Sequence, residues 1–270
     1  MDQIYASDSE SSTRARLKTF CPRMRPQTRP KADIVILQET KIQKKDLRDD
    51  MVLVRGWGCY ISLPKYKKGY SGAAIYTRNA VCSPIRAEEG VTGVLCPPGS
   101  STLFRDLPTA QQIGGYPTTE QLAISEVDSR YIILEFPAFV LLGVYCPANR
   151  DEARNDFRHG FLEALNHRVR NLVAMGKRVV LVGDINVTRD ENGSARARDL
   201  RRKGKLTPDE FCSAPARRLF NQLIENGNII GEKDPGKENP VLWDACREFH
   251  PNRSRMYTCW EQRINARRVI

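Results

Sequence analysis

The sequence contains no Cys-x-x-Cys pair and only three histidines in 270 residues. Its eight cysteines are scattered along the chain, which argues against a structural zinc site and against a disulfide framework. No apolar run approaches the ~20 residues needed to span a bilayer. No signal peptide opens the chain either. These absences predict a soluble, intracellular protein in which Cys59, Cys82, Cys146 and Cys246, each beside apolar residues, are buried reduced thiols.

Acidic residues are in the minority. Lysine and arginine outnumber aspartate and glutamate 43 to 32, giving a net charge of +11 and a pI near 9.4. That balance suits a polyanionic partner, nucleic acid ahead of a membrane surface, although charge alone does not separate such a partner from plain solubility. With 40% hydrophobic residues and no long polar tract, the chain can bury one large core or two small ones. Residues 1–31 stand apart. Met1 to Thr13 is polar and serine-rich, and Arg14 to Lys31 is basic and carries prolines. Neither part shows periodicity, so disorder or only local helix is expected there. From Ala32 onward strand-like runs alternate with helical patterns, which predicts a single α/β domain over 32–270.

Val179 to Val182 is an unbroken apolar run of the kind that suits a strand buried on both faces. Gly183 then allows close approach of another backbone. Asp184 and Asn186, at i and i+2, leave an extended chain on the same side. Their oxygens suit a hard cation and a phosphate; a strand closing on an Asp-Asn turn accounts for the stretch equally well. Asp33-Ile34-Val35-Ile36-Leu37 is another buried-strand run, followed by Gln38-Glu39-Thr40-Lys41. Glu39 reads there as a site carboxylate or as a loop-end surface residue. Tyr131 to Tyr145 holds two apolar stretches broken at Pro137, which predicts paired strands around a turn. Tyr145 ends the second of them, where a boundary tyrosine is ordinary on its own.

Residues 51–63 and 70–78 read as further strands. The segment between them interleaves Lys65, Lys67 and Lys68 with Tyr66 and Tyr70, which suits phosphate and base contact or a solvated hairpin tip. Residues 90–119 are rich in Gly, Pro, Ser and Thr and mark a long excursion between strands. Asp151 to Gly176 has the apolar spacing of a helix stopped by its glycine, with His159 and His167 as structural or solvated residues on it. Thr188 to Lys205 reads as a basic loop. Thr207-Pro208-Asp209-Glu210 and Ser213-x-Pro215 each look like a cap followed by a first-turn proline, and Asp244 falls in a short helix or turn.

Read together, these ends of strands form a pattern. Gln38-Glu39-Thr40-Lys41, Gly69-Tyr70-Ser71-Gly72, Val144-Tyr145-x-Pro147-x-Asn149, Gly183-Asp184-x-Asn186, Tyr257-Thr258-x-Trp260 and Asn265-Ala266-Arg267 resemble the exonuclease III branch of AP endonucleases. That branch lies in the endonuclease/exonuclease/phosphatase superfamily, and the wording is nearest its fungal type 2 members. The resemblance covers about residues 32–267. It implies a four-layer α/β sandwich: two packed mixed, mostly antiparallel sheets flanked by helices. It implies nuclear DNA repair by hydrolysis on the 5′ side of an abasic site in duplex DNA, with 3′-end trimming as a related activity. Mg²⁺ is the implied cofactor, with Mn²⁺ as a substitute. Glu39 would hold the metal with Asp184 and Asn186, while Tyr145, Asp184 and Asn186 would be catalytic. Lys65, Lys67, Lys68, Tyr70, Asn149, Arg150, Trp260, Asn265 and Arg267 would face DNA. A free aspartate with a pKa of about 3.9 is a weak base near neutrality, so Asp184 needs either a raised pKa or a metal that acidifies the water.

The pattern also departs from that family. Its opening Trp-Asn-Val-x-Gly has no counterpart in residues 1–31, and its closing Arg-(Ile/Leu)-Asp-Tyr and Ser-Asp-His segments fall beyond Arg268-Val269-Ile270. Cys259 stands where an aromatic often flanks the abasic pocket. The expectation is therefore a chain lacking N- and C-terminal core strands, with a recognisable but incomplete site and weak or no turnover. A DNA-binding remnant without catalysis competes with it, as does a superfamily phosphodiesterase acting on RNA or lipid headgroups. The Gly-Tyr-Ser-Gly and Asn-Ala-Arg wording speaks against the last.

Overall fold

The computed structural model describes residues 32–64, 71–121, 130–148, 155–251, 253 and 257–258. Residues 1–31, for which disorder is expected, lie outside them, as do Lys65, Lys67, Lys68, Tyr70, Asn149, Arg150, Trp260, Asn265 and Arg267. The chain divides into two compact units, residues 1–186 and 187–270.

The first unit holds two sheets. In one, β1 (Ile34–Gln38), β2 (Trp57–Ser62) and β3 (Ala73–Arg78) lie in the order β1-β3-β2, with both pairings antiparallel. In the other, β4 (Arg86–Glu89), β5 (Tyr131–Glu135), β6 (Val140–Tyr145) and β7 (Val179–Asp184) follow in sequence order. Its first two pairings are antiparallel and β6–β7 is parallel. The turn expected at Pro137 is present: Phe136 donates its amide to Phe139 O at 2.8 Å, and the two rings stack. A parallel pair needs a long crossover, and α2 (Asn155–Ala174) supplies it. Gly176, at φ 77°, ends that helix as the sequence predicts.

Period-two alternation places the core. Tyr60, Ala73 and Ile75 face the second sheet and pack with Ile132, Leu134 and Leu141. Cys59, Ile61, Ala74 and Tyr76 leave by the opposite face and pack with Val52 of the short helix α1 (Asp49–Val52). Burial pushes the Cys59 thiol up to about 12, so it remains a neutral apolar filler. On the far side of the second sheet, α2 buries Phe161, Leu165, Val169 and Leu172. The Tyr131 ring stacks on Phe161 at 4.3 Å. One antiparallel and one mixed sheet, flanked by helices, result, in keeping with the resemblance.

Several expectations need correction. The runs read as strands buried on both faces, β1 and β7, are sheet edges among the described residues, with Val35 36% and Val180 40% exposed. An apolar run records that a strand is suited to burial, not that both its faces are covered. The strand expected over 51–63 begins only at Trp57, after a helical turn. Cys246 is exposed and Cys82 half-buried, because an apolar sequence neighbour does not fix which side a side chain leaves by.

The excursion after β4 is ordered through two buried charges. Arg168 of α2 donates to Glu88 Oε1 at 2.7 Å and to Ile113 O at 2.6 Å, and its guanidinium lies 4.1 Å from the Tyr116 ring centroid. The Tyr116 hydroxyl donates to Glu88 Oε2 at 2.9 Å. Arg105 donates to Thr92 O and Pro117 O from within the excursion itself.

The second unit carries α3 (Ala195–Arg202), α4 (Pro208–Cys212), α5 (Pro215–Asn221) and α6 (Ala245–Phe249). The basic segment expected to be a loop is thus largely helix. Ser194 caps α3 by accepting the Ala197 amide, a cap the run of arginines conceals. Thr207 is the expected cap of α4, with Pro208 in its first turn, and Glu210 completes a capping box with it. Ser213 does not cap α5; it closes α4 as its C-cap, with its hydroxyl donating to Asp209 O, and Ala214 takes the N-cap of α5. Asp244 caps α6. Thr207→Ala is expected to cost about 1 kcal/mol of stability, read as a lower urea midpoint at unchanged slope. No shift in midpoint would show that the box contributes nothing.

Candidate functional site

The ends of β1, β6 and β7 meet on one side of the first unit, since β1 packs against both of the others. β6 and β7 end in register, with Tyr145 directly across from Asp184. Tyr145 is only 2% exposed, and its hydroxyl donates to Glu39 Oε1 from across the two sheets. Arg130 fixes the ring from behind: its guanidinium lies 4.9 Å from the ring centroid, and its Nη1 donates to Tyr145 O at 3.3 Å.

Glu39 stands just past β1 at φ 52°, and Lys41 repeats that conformation at φ 55°. Left-handed backbone in side chains of this kind is held only where the surroundings enforce it. Here the entry to β3 enforces it. Lys41 N donates to Ser71 O at 2.9 Å and Thr40 N to Gly72 O at 3.2 Å. Gly72 has φ 88°, and a Cβ there would collide with Thr40 Oγ1. The second glycine of Gly-Tyr-Ser-Gly is therefore the seat on which Glu-Thr-Lys rests. The remaining oxygen of Glu39, Oε2, receives the Lys41 ammonium at 2.8 Å.

Gly183, at φ 124°, passes so close to β6 that a Cβ would meet Val144 O. That close approach brings Asp184 to its place beside Tyr145. Asp184 is exposed, and its Oδ1 accepts the Asn186 amide at 3.0 Å, a tight Asx turn. Asn186 sits at φ 52°, a conformation asparagine tolerates better than most residues. Its Nδ2 donates to Cys146 O at 2.8 Å, leaving Oδ1 as the amide's remaining acceptor. Burial first, and then the Asp184 charge, push the Cys146 thiol far above its usual range, so it stays neutral beneath the site. Arg158 of α2 ties the two strand exits together, with Nε on Pro147 O at 3.1 Å and Nη2 on Asn186 O at 2.8 Å.

The donors so gathered are two carboxylates and one amide, all oxygen. Among the described residues no three His, Cys, Asp or Glu side chains cluster as metal ligands. A soft metal finds no thiolate or imidazole set here. A hard divalent cation, which uses one or two carboxylates and completes its shell with water and phosphate, fits the chemistry of the set. A cation already sits on Glu39 Oε2 in the form of Lys41, so that seat is open to positive charge.

The structure thus brings together Glu39, Tyr145, Asp184 and Asn186. The expected DNA-facing residues Lys65, Lys67, Lys68, Tyr70, Asn149, Arg150, Trp260, Asn265 and Arg267 lie outside the described residues. The parts that motif comparison leaves without a role are Lys41, Arg130 and Arg158. Lys41 was in view within Gln-Glu-Thr-Lys. Arg158 gave no signal, being one of several arginines around an amphipathic helix.

The model of the Endonuclease/Exonuclease/phosphatase family matches residues 7–267. The chain is 33% identical over 240 residues to DNA-(apurinic or apyrimidinic site) endonuclease 2 of Schizosaccharomyces pombe, covering 87% of this chain and 43% of that protein. It is 32% identical to the Saccharomyces cerevisiae protein of the same name, covering 88% and 52%. The chain spans about half the length of the curated relatives it matches. Among solved structures, the Xenopus laevis APE2 catalytic domain superposes with a TM-score of 0.67 at 25% identity, covering 88% of this chain and 70% of that one. The AP endonuclease LMAP of Leishmania major, at 18% identity and a TM-score of 0.59, shares the fold.

Proposed function

Because the chain belongs to the endonuclease/exonuclease/phosphatase family, we propose that its site hydrolyses the phosphodiester 5′ to abasic sites in duplex DNA, as a base excision repair nuclease acting in the nucleus. Trimming of blocked 3′ ends is the related activity the same site would support. One observation carries the reading: Tyr145 is bonded to Glu39 across the two sheets and in register with Asp184, so three separate strand ends converge. The relatives' names and the net charge of +11 favour a nucleic acid over other phosphodiesters.

Glu39, with Asp184 and Asn186, would hold Mg²⁺ or Mn²⁺, which when bound stabilises charge on the phosphate and acidifies water. The protein's own groups do the rest. Asp184 orients the attacking water and accepts its proton. Tyr145, held upright by Arg130, donates its hydroxyl to a non-bridging phosphate oxygen in exchange for Glu39. Asn186 offers its Oδ1 to the water or the metal while its amide stays locked on Cys146 O. Lys65, Lys67, Lys68, Tyr70, Asn149, Arg150, Trp260, Asn265 and Arg267 are proposed as contacts to the DNA strand.

A 5′-labelled duplex with one abasic site tests this directly. Slow incision on the 5′ side in Mg²⁺, abolished by chelation and by Glu39→Gln, is the expected outcome. Salt-dependent duplex binding with no incision under any divalent cation would replace catalysis with binding alone.

A further inference from the structure

Lys41 has no part in the chemistry outlined above, yet it holds one of the two oxygens on which that chemistry would depend. Its ammonium is 2.8 Å from Glu39 Oε2, while the Tyr145 hydroxyl takes Oε1. The backbone under Lys41 is fixed, with its amide on Ser71 O and its φ at 55°. The side chain above that fixed root is 53% exposed. An exposed ion pair of this kind is weak, worth little more than the cost of ordering it. It is strong enough to neutralise Glu39 and weak enough to exchange.

We infer that Lys41 is a resident counter-cation of Glu39, which a divalent metal displaces and whose released ammonium then binds a phosphate of the nucleic acid. The inference rests on Glu39 being a metal ligand, as proposed above. Without metal, the lysine is spent on the carboxylate and is lost to the substrate. With metal bound, the same lysine is driven from Glu39 by two positive charges and stands next to where phosphate arrives. Metal and DNA must then bind cooperatively, each making the other's site available, and linkage requires the effect to be equal in both directions. Lys41 is in this sense a positioning and coupling residue. It lowers metal affinity in the free protein and restores it when polyanion is present.

The coupling can be read without any turnover. Mn²⁺ binding to the protein is followed by electron paramagnetic resonance. Binding of a fluorescent abasic-analogue duplex is followed by anisotropy, with Ca²⁺ or with chelator, at one ionic strength. In the wild type, Ca²⁺ is expected to tighten duplex binding by about the same factor that Lys41 takes from metal affinity, about threefold. In Lys41→Met, Mn²⁺ affinity in the absence of DNA should rise about threefold, and the gain in duplex affinity with Ca²⁺ should fall to near unity. Lys41→Arg, which keeps the charge, should keep most of both wild-type values. Unchanged or weaker Mn²⁺ binding in Lys41→Met, or retained coupling, overturns the inference. Glu39→Gln separates the two layers of argument. If it abolishes Mn²⁺ binding while Lys41→Met changes nothing, the metal site stands and the role of Lys41 falls. If it leaves Mn²⁺ binding intact, the site itself is misassigned and the role of Lys41 falls with it.

Discussion

Asp184→Asn is expected to lower the rate of duplex incision by about 10²–10⁴-fold, the range typical of a lost general base. Asparagine keeps an Oδ1 in the same place, so the turn closed by the Asn186 amide at 3.0 Å can persist. β7 stays in register with β6, because that pairing is made by backbone groups and by the close approach at Gly183. What disappears is the charge and the ability to take a proton. With Ca²⁺ at saturation, duplex affinity should therefore change by no more than about threefold, a difference of about 0.6 kcal/mol. Initial rates with labelled abasic duplex, alongside circular dichroism, distinguish the cases. A variant that retains more than a tenth of the wild-type rate would remove Asp184 from the chemistry.

The second large effect concerns Glu88 and Arg168, 1% and 0% exposed, which fasten the long excursion to α2. Burial pushes Glu88 up to about 7 against the pull of Arg168, and burial likewise draws Arg168 below its usual value. Both partners are thus shifted toward their neutral forms, the sign that removal from water outweighs their mutual attraction. Such a pair adds little net stability, yet removing one member strands the other. Glu88→Leu is expected to cost about 3–5 kcal/mol, seen as a large drop in the urea midpoint. The double variant Glu88→Leu/Arg168→Met should be less destabilised than the sum of the single variants. Additive losses, or a loss below about 1 kcal/mol in Glu88→Leu, would contradict this account.

The same shift sets a pH dependence. An acid whose folded value is raised binds its proton more tightly in the native state than in the unfolded one. Its stabilising contribution is therefore complete below the unfolded value near 4.5 and is lost as pH rises through about 7. Glu88→Gln should flatten that segment of the stability profile.

The fold was legible in the sequence wherever an element's signal is local. The Pro137 turn, the glycine stop at 176 and the cap at Thr207 each depend on residues within a few positions of one another. The strand ends bearing Glu39, Tyr145, Asp184 and Asn186 were legible for another reason: their spacing and neighbours form a motif larger than any one strand. Burial was the poorer inference. Val35 and Val180 belong to runs as apolar as any in the core, and only the strand order reveals that they lie at edges among the described residues. The Glu88–Arg168–Tyr116 network was invisible, because its members come from a strand, a helix and a loop with no shared pattern. Arg158 was hidden for the same reason. Its partners are backbone carbonyls, and any sequence would supply those.

Because β7 runs parallel to β6, the site also has a place in time. β2 and β3, like β5 and β6, are neighbours in sequence and pair after short connections. β7 reaches β6 only once the whole of α2 has been laid across the sheet. Closing that longer loop uses more chain entropy before any contact rewards it. Tyr145 is thus held by a local hairpin pairing, while Asp184 and Asn186 depend on a long-range one. By loop closure alone, Asp184 is expected to join Tyr145 only after the β5–β6 hairpin has formed, and to leave it first when β7 opens.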